Sequence, residues 1–130
     1  MTEAADAGTP FIDRMRERGE WNPLWDGLAQ LDPQWTDDYL RTVTQPWRSG
    51  VLSPKVIELL CIAVDAACTH MYGPGVRRHI RAALDLGVTA EEILEVLKLA
   101  SVVGIHSCNV GAPILMEELD ARERGGAAST

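Results

Sequence analysis

Apolar residues return every three or four positions along most of this chain, which is the spacing of amphipathic α-helices. No run alternates apolar and polar residues in the way that a half-buried strand would. The pattern therefore predicts an all-α, compact fold of about six helices. It follows an N-terminal extension over residues 1–20, which is expected to hold a short helix over residues 11–18 that ends at Gly19.

Capping residues mark most of the predicted helix boundaries. Asp32 and Ser53 are each followed by proline, which favours an N-cap with proline at the first helical position. Thr89 and Glu92 have the spacing of a capping box, and Gly87 is placed to end the preceding helix. These signals predict helices over residues 21–30, 33–45, 54–69, 74–86, 90–104 and 113–122, with a turn at 47–50 and a helix junction at 105–113.

Two of these helices carry apolar stripes that are expected to face a core. The stripe of the helix after Asp32 would consist of Trp35, Tyr39, Leu40 and Val43. The last helix is predicted to turn Ile114, Leu115 and Leu119 inward. All four tryptophans lie within residues 21–47, where packing is the expected role, with a lid over a site or an oligomer contact as the alternatives.

Composition narrows the class of protein. A chain of 130 residues predicts a single domain over 1–130, with loose ends at residues 1–8 and 124–130. The net charge of −7 argues against nucleic acid as a partner. No apolar run reaches the roughly 18 residues expected of a membrane span, and no secretory signal is visible. Three cysteines, an odd number, favour reduced thiols and a cytoplasmic location.

The stretch over residues 58–79 concentrates the residue types that carry chemistry. On a helix, Glu58, Cys61, Asp65 and Cys68 fall on one strip, while most other positions in its first half are apolar. A buried carboxylate needs a partner, because its desolvation is costly. The second half supplies candidates in His70, Tyr72, His79 and the arginines at positions 77, 78 and 81.

The order of signals from residue 52 to about 119 resembles the carboxymuconolactone decarboxylase family, whose relatives include alkylhydroperoxidase D-type proteins. The segment HIRAALDLGVTAEEILEVL, which begins at His79, is the most specific part of the likeness. The resemblance implies an alkylhydroperoxidase D-like helical fold that assembles into homotrimers or homohexamers. It also identifies His79 and Glu58 with the family's motif histidine and helix glutamate.

One departure from the family pattern bears on function. Peroxidase-type members carry a Cys-x-x-Cys pair, and the matching positions here are Tyr72 and Gly75. A two-cysteine redox cycle needs an attacking and a resolving sulfur within bonding reach. The chain therefore sides with the decarboxylase-type members, and Cys61 and Cys108 are interpreted as small buried hydrophobes.

The candidate catalytic residues are His79, as a general acid, and Glu58, as the carboxylate that orients it. The candidate substrate-binding residues are Arg78, Arg81, Tyr72, His70 and His106, since arginine binds carboxylates and the others flank the expected pocket. Asp65 is expected to pair structurally with an arginine or histidine. No cofactor and no metal are predicted, because the histidines lack a tight metal-binding spacing.

These features together predict a decarboxylase for a small carboxylic acid, a lactone or keto acid from aromatic or related catabolism. The enzyme would be a cofactor-independent carboxy-lyase, with no nucleic acid or membrane partner. Two alternatives stay open at this point. One is a thiol-dependent antioxidant protein, and the other is a non-catalytic oligomeric binding module.

Overall fold

The computed structural model describes residues 10–127, and within that range the chain is helical with no β-strand. The predicted all-α class is confirmed. The residues expected to be loose at positions 1–8 lie outside the described range. The chain divides into two compact units, Met1–Leu52 and Ser53–Thr130, so the single domain over 1–130 stays a prediction.

The described residues of the first unit, 10–52, form four α-helices, α1 (Phe11–Glu17), α2 (Asp26–Leu31), α3 (Pro33–Val43) and α4 (Gln45–Ser49), with a 3-10 turn at Pro23–Trp25. Its core consists of Phe11, Ile12 and Leu40, and the partly buried residues packed against them are Met15, Trp21, Trp25 and Ala29. The predicted extension over residues 1–20 therefore contributes a helix to this core. Trp21 and Trp25 serve packing, as expected, whereas Trp35 and Trp47 are about half exposed in the chain.

Helix α3 begins as predicted, but its buried face differs from the predicted stripe. Asp32 accepts a hydrogen bond from the backbone of Trp35 and so caps the helix. The buried residues are Thr36, Asp37 and Leu40, while Trp35, Tyr39 and Val43 are exposed. The stripe is wrong for those three residues, because the Asp37 carboxylate accepts a hydrogen bond from the backbone N–H of Ile12 and anchors that side of α3 on α1.

The predicted turn at residues 47–50 is wrong in its first part, because residues 45–49 form the short helix α4. The predicted helix over residues 33–45 ends just before Pro46, but in the structure Pro46 lies at the start of α4, where its missing N–H costs no hydrogen bond. Gly50 then ends α4 in the left-handed backbone region.

The second unit is built around α5 (Pro54–Ala66), α6 (Gly73–Asp85) and α7 (Ala90–Ala100). Its core holds Ile62, Ala83, Val88 and Ile93, and the residues packed against it are Leu59, Ile80, Val96 and Leu97. The Ser53 cap, the Thr89–Glu92 capping box and the left-handed Gly87 are all confirmed. Helix α5 ends three residues earlier than the predicted Thr69, and the freed residues turn back toward α6.

The last helix differs most from its prediction. A 3-10 turn at Ser101–Gly104 leads into α8 (His106–Ala127), which runs through the predicted junction at 105–113 and into the predicted tail. Pro113 stands inside α8, where it loses only the bond to the Asn109 carbonyl and does not stop the helix. The predicted inward residues Ile114, Leu115 and Leu119 are exposed in the chain.

Many large apolar residues between Leu94 and Leu119 are exposed in the chain. The helical stretch Ala90–Gly126 is long and apolar enough to cross a membrane by length and composition, although few of its residues are buried. The expectation that no segment reaches this length is wrong, because serine, histidine and asparagine interrupt the run between Lys98 and Glu117 without adding charge. One such segment is weak evidence for a membrane, since helices of soluble proteins meet the same criterion.

Candidate active site

Helices α5 and α6 bring Glu58 and His79 into direct contact. The Nδ1 atom of His79 lies 2.7 Å from Oε2 of Glu58, and the two side chains are 12% and 10% exposed. Both helices place these residues well inside their ends, and α5 and α6 form the most extensive helix pair of this unit. The glutamate and histidine that the resemblance singled out therefore form one nearly buried acid–base pair.

Asp65 lies two turns beyond Glu58 on α5 and approaches the other nitrogen of the same imidazole. Its Oδ2 atom is 3.8 Å from Nε2 of His79, and its Oδ1 atom is 3.4 Å from Nε2 of His70. The Asp65 side chain is 14% exposed and that of His70 is 53% exposed. The expected pairing of Asp65 with a histidine is confirmed, and it involves two histidines.

Gly75 makes room for this carboxylate. A Cβ atom built on Gly75 would overlap Oδ2 of Asp65 and would lie 2.6 Å from the ring of Tyr72. Neighbouring side chains essentially never come this close, so any other residue at position 75 would displace Asp65, Tyr72 or both. At the position where peroxidase-type relatives carry a cysteine, this chain has a glycine, and the Asp65 carboxylate occupies the space that a side chain would take.

The third polar neighbour of His79 is Arg78, whose Nη2 atom lies 3.1 Å from Nε2 of the imidazole. A guanidinium only donates hydrogen bonds, so Nε2 is the acceptor in this contact. The proton of the neutral ring is then on Nδ1, where it is donated to Glu58. The hydrogen bonds to Glu58 and Arg78 therefore indicate the tautomer with its proton on Nδ1, in which Nε2 can accept a proton. When Nε2 is protonated, the Asp65 carboxylate is the acceptor that faces it.

An open groove of about 520 Å³ lies beside this group of residues. It is lined by Asp65, Ala66, Met71, Gly73, Val76, Arg77, Ile80 and Arg81. Most of the lining is apolar, with two guanidinium groups and one carboxylate, which suits a small molecule with an acidic group and an apolar body. Asp65 belongs both to the groove and to the surroundings of His79, so it connects the two.

Cys61 lies on the same strip of α5 as Glu58 and Asp65. Burial, together with the negative charges of Glu58 and Asp65, raises the pKa of the Cys61 thiol to about 11, although Arg78 opposes the shift. A thiol of this kind is not a nucleophile at neutral pH. The interpretation of Cys61 and Cys108 as small buried hydrophobes is wrong for Cys108, because it is exposed in the chain, and holds only in part for Cys61, because it is partly buried. Cys68 lies beyond the end of α5 and so leaves the predicted strip.

The predicted substrate-binding residues occupy different places. Arg81 lines the groove, whereas Arg78 contacts His79 instead. Tyr72 stands at the N-cap of α6, with its ring 5.6 Å from that of His70. His106 begins α8, where it contacts Asn109.

Arg77 lines the groove, although it is not among the substrate-binding residues predicted from the sequence. Spacing could not separate Arg77 from Arg78, because Arg81 is four residues after one and three after the other, and both separations place side chains on one helix face. For metals, residues 10–127 contain no group of three or more histidine, cysteine or carboxylate side chains that could hold an ion.

Fold and site together define an all-helical protein with a glutamate–histidine acid–base centre beside a groove that carries arginine. The sequence profile of the carboxymuconolactone decarboxylase family matches residues 33–105, so the chain belongs to that family. Among curated proteins there is no significant match.

A solved structure supports the same assignment. The crystal structure of a candidate gamma-carboxymuconolactone decarboxylase subunit from Burkholderia xenovorans is 43% identical in sequence and superimposes with a TM-score of 0.72. The match covers 93% of this chain and 48% of that one, so this chain spans about half the length of the other protein.

Proposed function

We propose that the protein is a cofactor-independent decarboxylase of a small carboxylic acid, a lactone or a keto acid, with His79 as the general acid. The observation that carries this proposal is the nearly buried Glu58–His79 pair beside a groove with two arginines. Family membership supports a decarboxylase in general terms. The substrate class and the role of each residue are the proposal.

Each step of the proposed reaction is carried out by residues of the site. Arg77 and Arg81 bind an anionic group of the substrate and leave its apolar body against Val76 and Ile80. The bond between the carboxylate carbon and its neighbour breaks, carbon dioxide leaves, and the electron pair stays on the substrate as an enolate. The proton on Nε2 of His79 then forms the new C–H bond, and the imidazole returns to its neutral form.

Glu58 makes this proton transfer possible in two ways. Its carboxylate fixes the Nδ1 side of the ring, which turns Nε2 toward Arg78 and Asp65, and it stabilises the imidazolium before the transfer. Arg78 stabilises the neutral ring after the transfer, because it donates to the vacated Nε2 lone pair. The imidazole is therefore supported in both of the states that the reaction requires.

We further propose that the protein acts as a homotrimer or homohexamer in the cytoplasm. The exposed apolar residues of α8 support assembly, because soluble monomers seldom leave large contiguous apolar patches open to water. The related Burkholderia protein is described as a subunit. Tyr72, His70 and His106 stay candidates for substrate contacts in such an assembly.

The test is release of carbon dioxide from a panel of lactone acids and keto acids by the purified full-length chain. For an acid that is turned over, His79→Gln should lower kcat by about 100-fold or more, the usual contribution of a positioned general acid. Arg81→Gln should mainly raise KM. Asp85→Asn, an exposed carboxylate on the same helix, is the control that should leave both constants unchanged. Full turnover by His79→Gln would overturn the proposal.

The thiol antioxidant alternative has less support from the site. Gly75 replaces one cysteine of the redox pair, Tyr72 replaces the other, and Cys61 has a raised pKa. Peroxide consumption that disappears in the triple variant Cys61→Ala, Cys68→Ala, Cys108→Ala would favour this alternative. Consumption that persists in the triple variant would exclude it.

A further inference from the structure

Two carboxylates and two histidines alternate through the site. Glu58 contacts Nδ1 of His79, Nε2 of His79 faces one oxygen of Asp65, and the other oxygen of Asp65 faces Nε2 of His70. Exposure rises along this series, from a nearly buried pair at one end to a half-exposed imidazole at the other. The reaction proposed above uses only the first two residues.

We propose that Asp65 and His70 form a proton relay that returns a proton from solvent to Nε2 of His79 after each turnover. This inference rests on the proposed function for its purpose, because a decarboxylase that protonates carbon consumes one proton in each turnover. His79 lies beside the groove, and Asp65, which faces its Nε2 atom, lines the groove. Asp65 also faces the half-exposed His70, so it offers a path for a proton from solvent to Nε2.

The relay balances without any further reactant. After His79 has given its Nε2 proton to the substrate carbon, a protonated Asp65 transfers its proton to the Nε2 lone pair. The Asp65 carboxylate then takes a proton from Nε2 of a His70 imidazolium, and His70 takes one from water at the surface. Histidine suits the outer position because an imidazole can both accept and release a proton.

The geometry is close to what each transfer needs. The separation of 3.4 Å between Asp65 and His70 is at the limit of a hydrogen bond, and the 3.8 Å to His79 requires a shift of less than 1 Å. Gaps of this size are too short for an intervening water molecule. Rotation of the Asp65 carboxylate can therefore close either contact in turn.

Two local features hold Asp65 in place for this task. Gly75 provides the space that its carboxylate occupies, and the carbonyl of Asp65 accepts a hydrogen bond of 2.8 Å from the backbone N–H of Tyr72. The second contact also folds the segment carrying His70 back over the end of α5. Since Met71, in that segment, has a positive φ of 51°, the segment keeps a conformation that L-residues seldom adopt. Asp65 and His70 are positioning residues in this scheme, because they act on substrate through His79.

The experiment follows the protons directly and does not depend on a known substrate. The full-length chain is labelled with ¹⁵N-histidine and held at a pH low enough to protonate the His79 imidazole, and the exchange of its Nε2 proton with water is measured by NMR. Asp65→Asn keeps the shape of the side chain but cannot carry the proton, so exchange should slow by at least about tenfold. His70→Ala should slow it similarly, and added imidazole should restore the rate in that variant alone.

Matched variants separate the relay from general effects. Asp85→Asn removes an exposed carboxylate from α6, so it should leave the exchange rate within a factor of about two. Gly75→Ala should reproduce the change seen with Asp65→Asn, because the new methyl group displaces the carboxylate. Circular dichroism checks that each variant is folded, and the exposed His70 can be replaced even if α5 tolerates no change.

Unchanged exchange in His70→Ala, or in a folded Asp65→Asn variant, would overturn the relay. This result is distinct from failure of the proposed function. If no acid in the panel is decarboxylated while exchange slows in both variants, the relay stands and the reaction must be sought elsewhere. If carbon dioxide is released while exchange is unaffected, the decarboxylase stands without the relay.

Discussion

The Nδ1 atom of His79 and the Oε2 atom of Glu58 are 2.7 Å apart, although 21 positions separate the two residues in the chain. The contact joins α5 to α6 and fixes the orientation of the imidazole. Because the pair is nearly buried, water cannot replace either partner when the other is removed. The same contact should therefore contribute to stability as well as to chemistry.

Glu58→Ala should lower the free energy of unfolding by about 2–3 kcal/mol, because it leaves the buried imidazole N–H without its charged acceptor. Glu58→Gln retains an acceptor oxygen and should cost about half as much. Urea unfolding followed by circular dichroism measures both. The control is Glu95→Ala, which breaks an exposed pair with Lys98 and should cost at most about 0.5 kcal/mol. Equal losses for Glu58→Ala and Glu95→Ala would show that the buried pair adds nothing.

A second buried carboxylate organises the first unit. Oδ1 of Asp37 accepts a hydrogen bond of 2.8 Å from the backbone N–H of Ile12, and Oδ2 pairs with Arg41 at 2.9 Å. Asp37→Ala should cost about 1–3 kcal/mol, since a buried donor loses its acceptor. Asp37→Asn should cost less than about 1 kcal/mol, because it keeps an acceptor for Ile12 and loses only the exposed ion pair.

Tryptophan fluorescence during urea unfolding suits the Asp37 measurement, because all four tryptophans lie in residues 21–47. The neighbouring exposed carboxylate of Asp38 gives the matched control, and Asp38→Ala should change the midpoint very little. A larger effect of Asp38→Ala than of Asp37→Ala would contradict the assignment.

Helix starts could be predicted from the sequence because each depends on a side chain that closes the backbone locally. Asp32, Ser53 and Thr89 each accept the expected backbone hydrogen bond. Proline was less reliable as a signal of where a helix begins or ends. Pro46 begins a helix and Pro113 stands within one, because the cost of proline depends on which backbone bond it removes.

The site shows where sequence reasoning reaches its limit. Glu58 and His79 could be paired through the family likeness, and the spacing on α5 placed Asp65 on the same strip as Glu58. Which of the adjacent Arg77 and Arg78 lines the groove depends on the rotation of α6 against α5. That rotation is set by core packing around residues such as Ile62 and Ala83, and no local pattern encodes it.

The exposed apolar face of α8 predicts assembly with further copies of the chain. Leu115 is exposed within the chain, so Leu115→Asp should leave the helix folded but place an unpaired charge in the interface. Sedimentation velocity should then show a shift from oligomer to monomer. The dissociation constant should rise by about tenfold for each 1.4 kcal/mol of association free energy that the charge removes.

The same chemical change at Leu31, an exposed leucine on α2, is the control for this assembly experiment. Leu31→Asp should leave the sedimentation coefficient unchanged. A wild-type chain that sediments as a monomer, or a Leu115→Asp chain that remains assembled, would show that α8 is not the interface.

The thiol of Cys61 gives a prediction that depends on pH. Its pKa is raised to about 11 by burial and by the charges of Glu58 and Asp65, so almost none of it is thiolate at neutral pH. Alkylation by iodoacetamide, mapped by mass spectrometry, should be much slower at Cys61 than at the exposed Cys68, and should accelerate up to about pH 11. Asp65→Asn removes one of the negative charges and should speed the alkylation of Cys61 at pH 9.

Unfolding restores the ordinary pKa of 9.0 to the Cys61 thiol, so as the pH rises the unfolded chain loses the thiol proton before the folded chain does. The contribution of Cys61 to stability is therefore complete below about pH 9 and is lost as the pH rises to about 11. Equal alkylation of Cys61 and Cys68 at neutral pH would show that the thiol is not held between the two carboxylates.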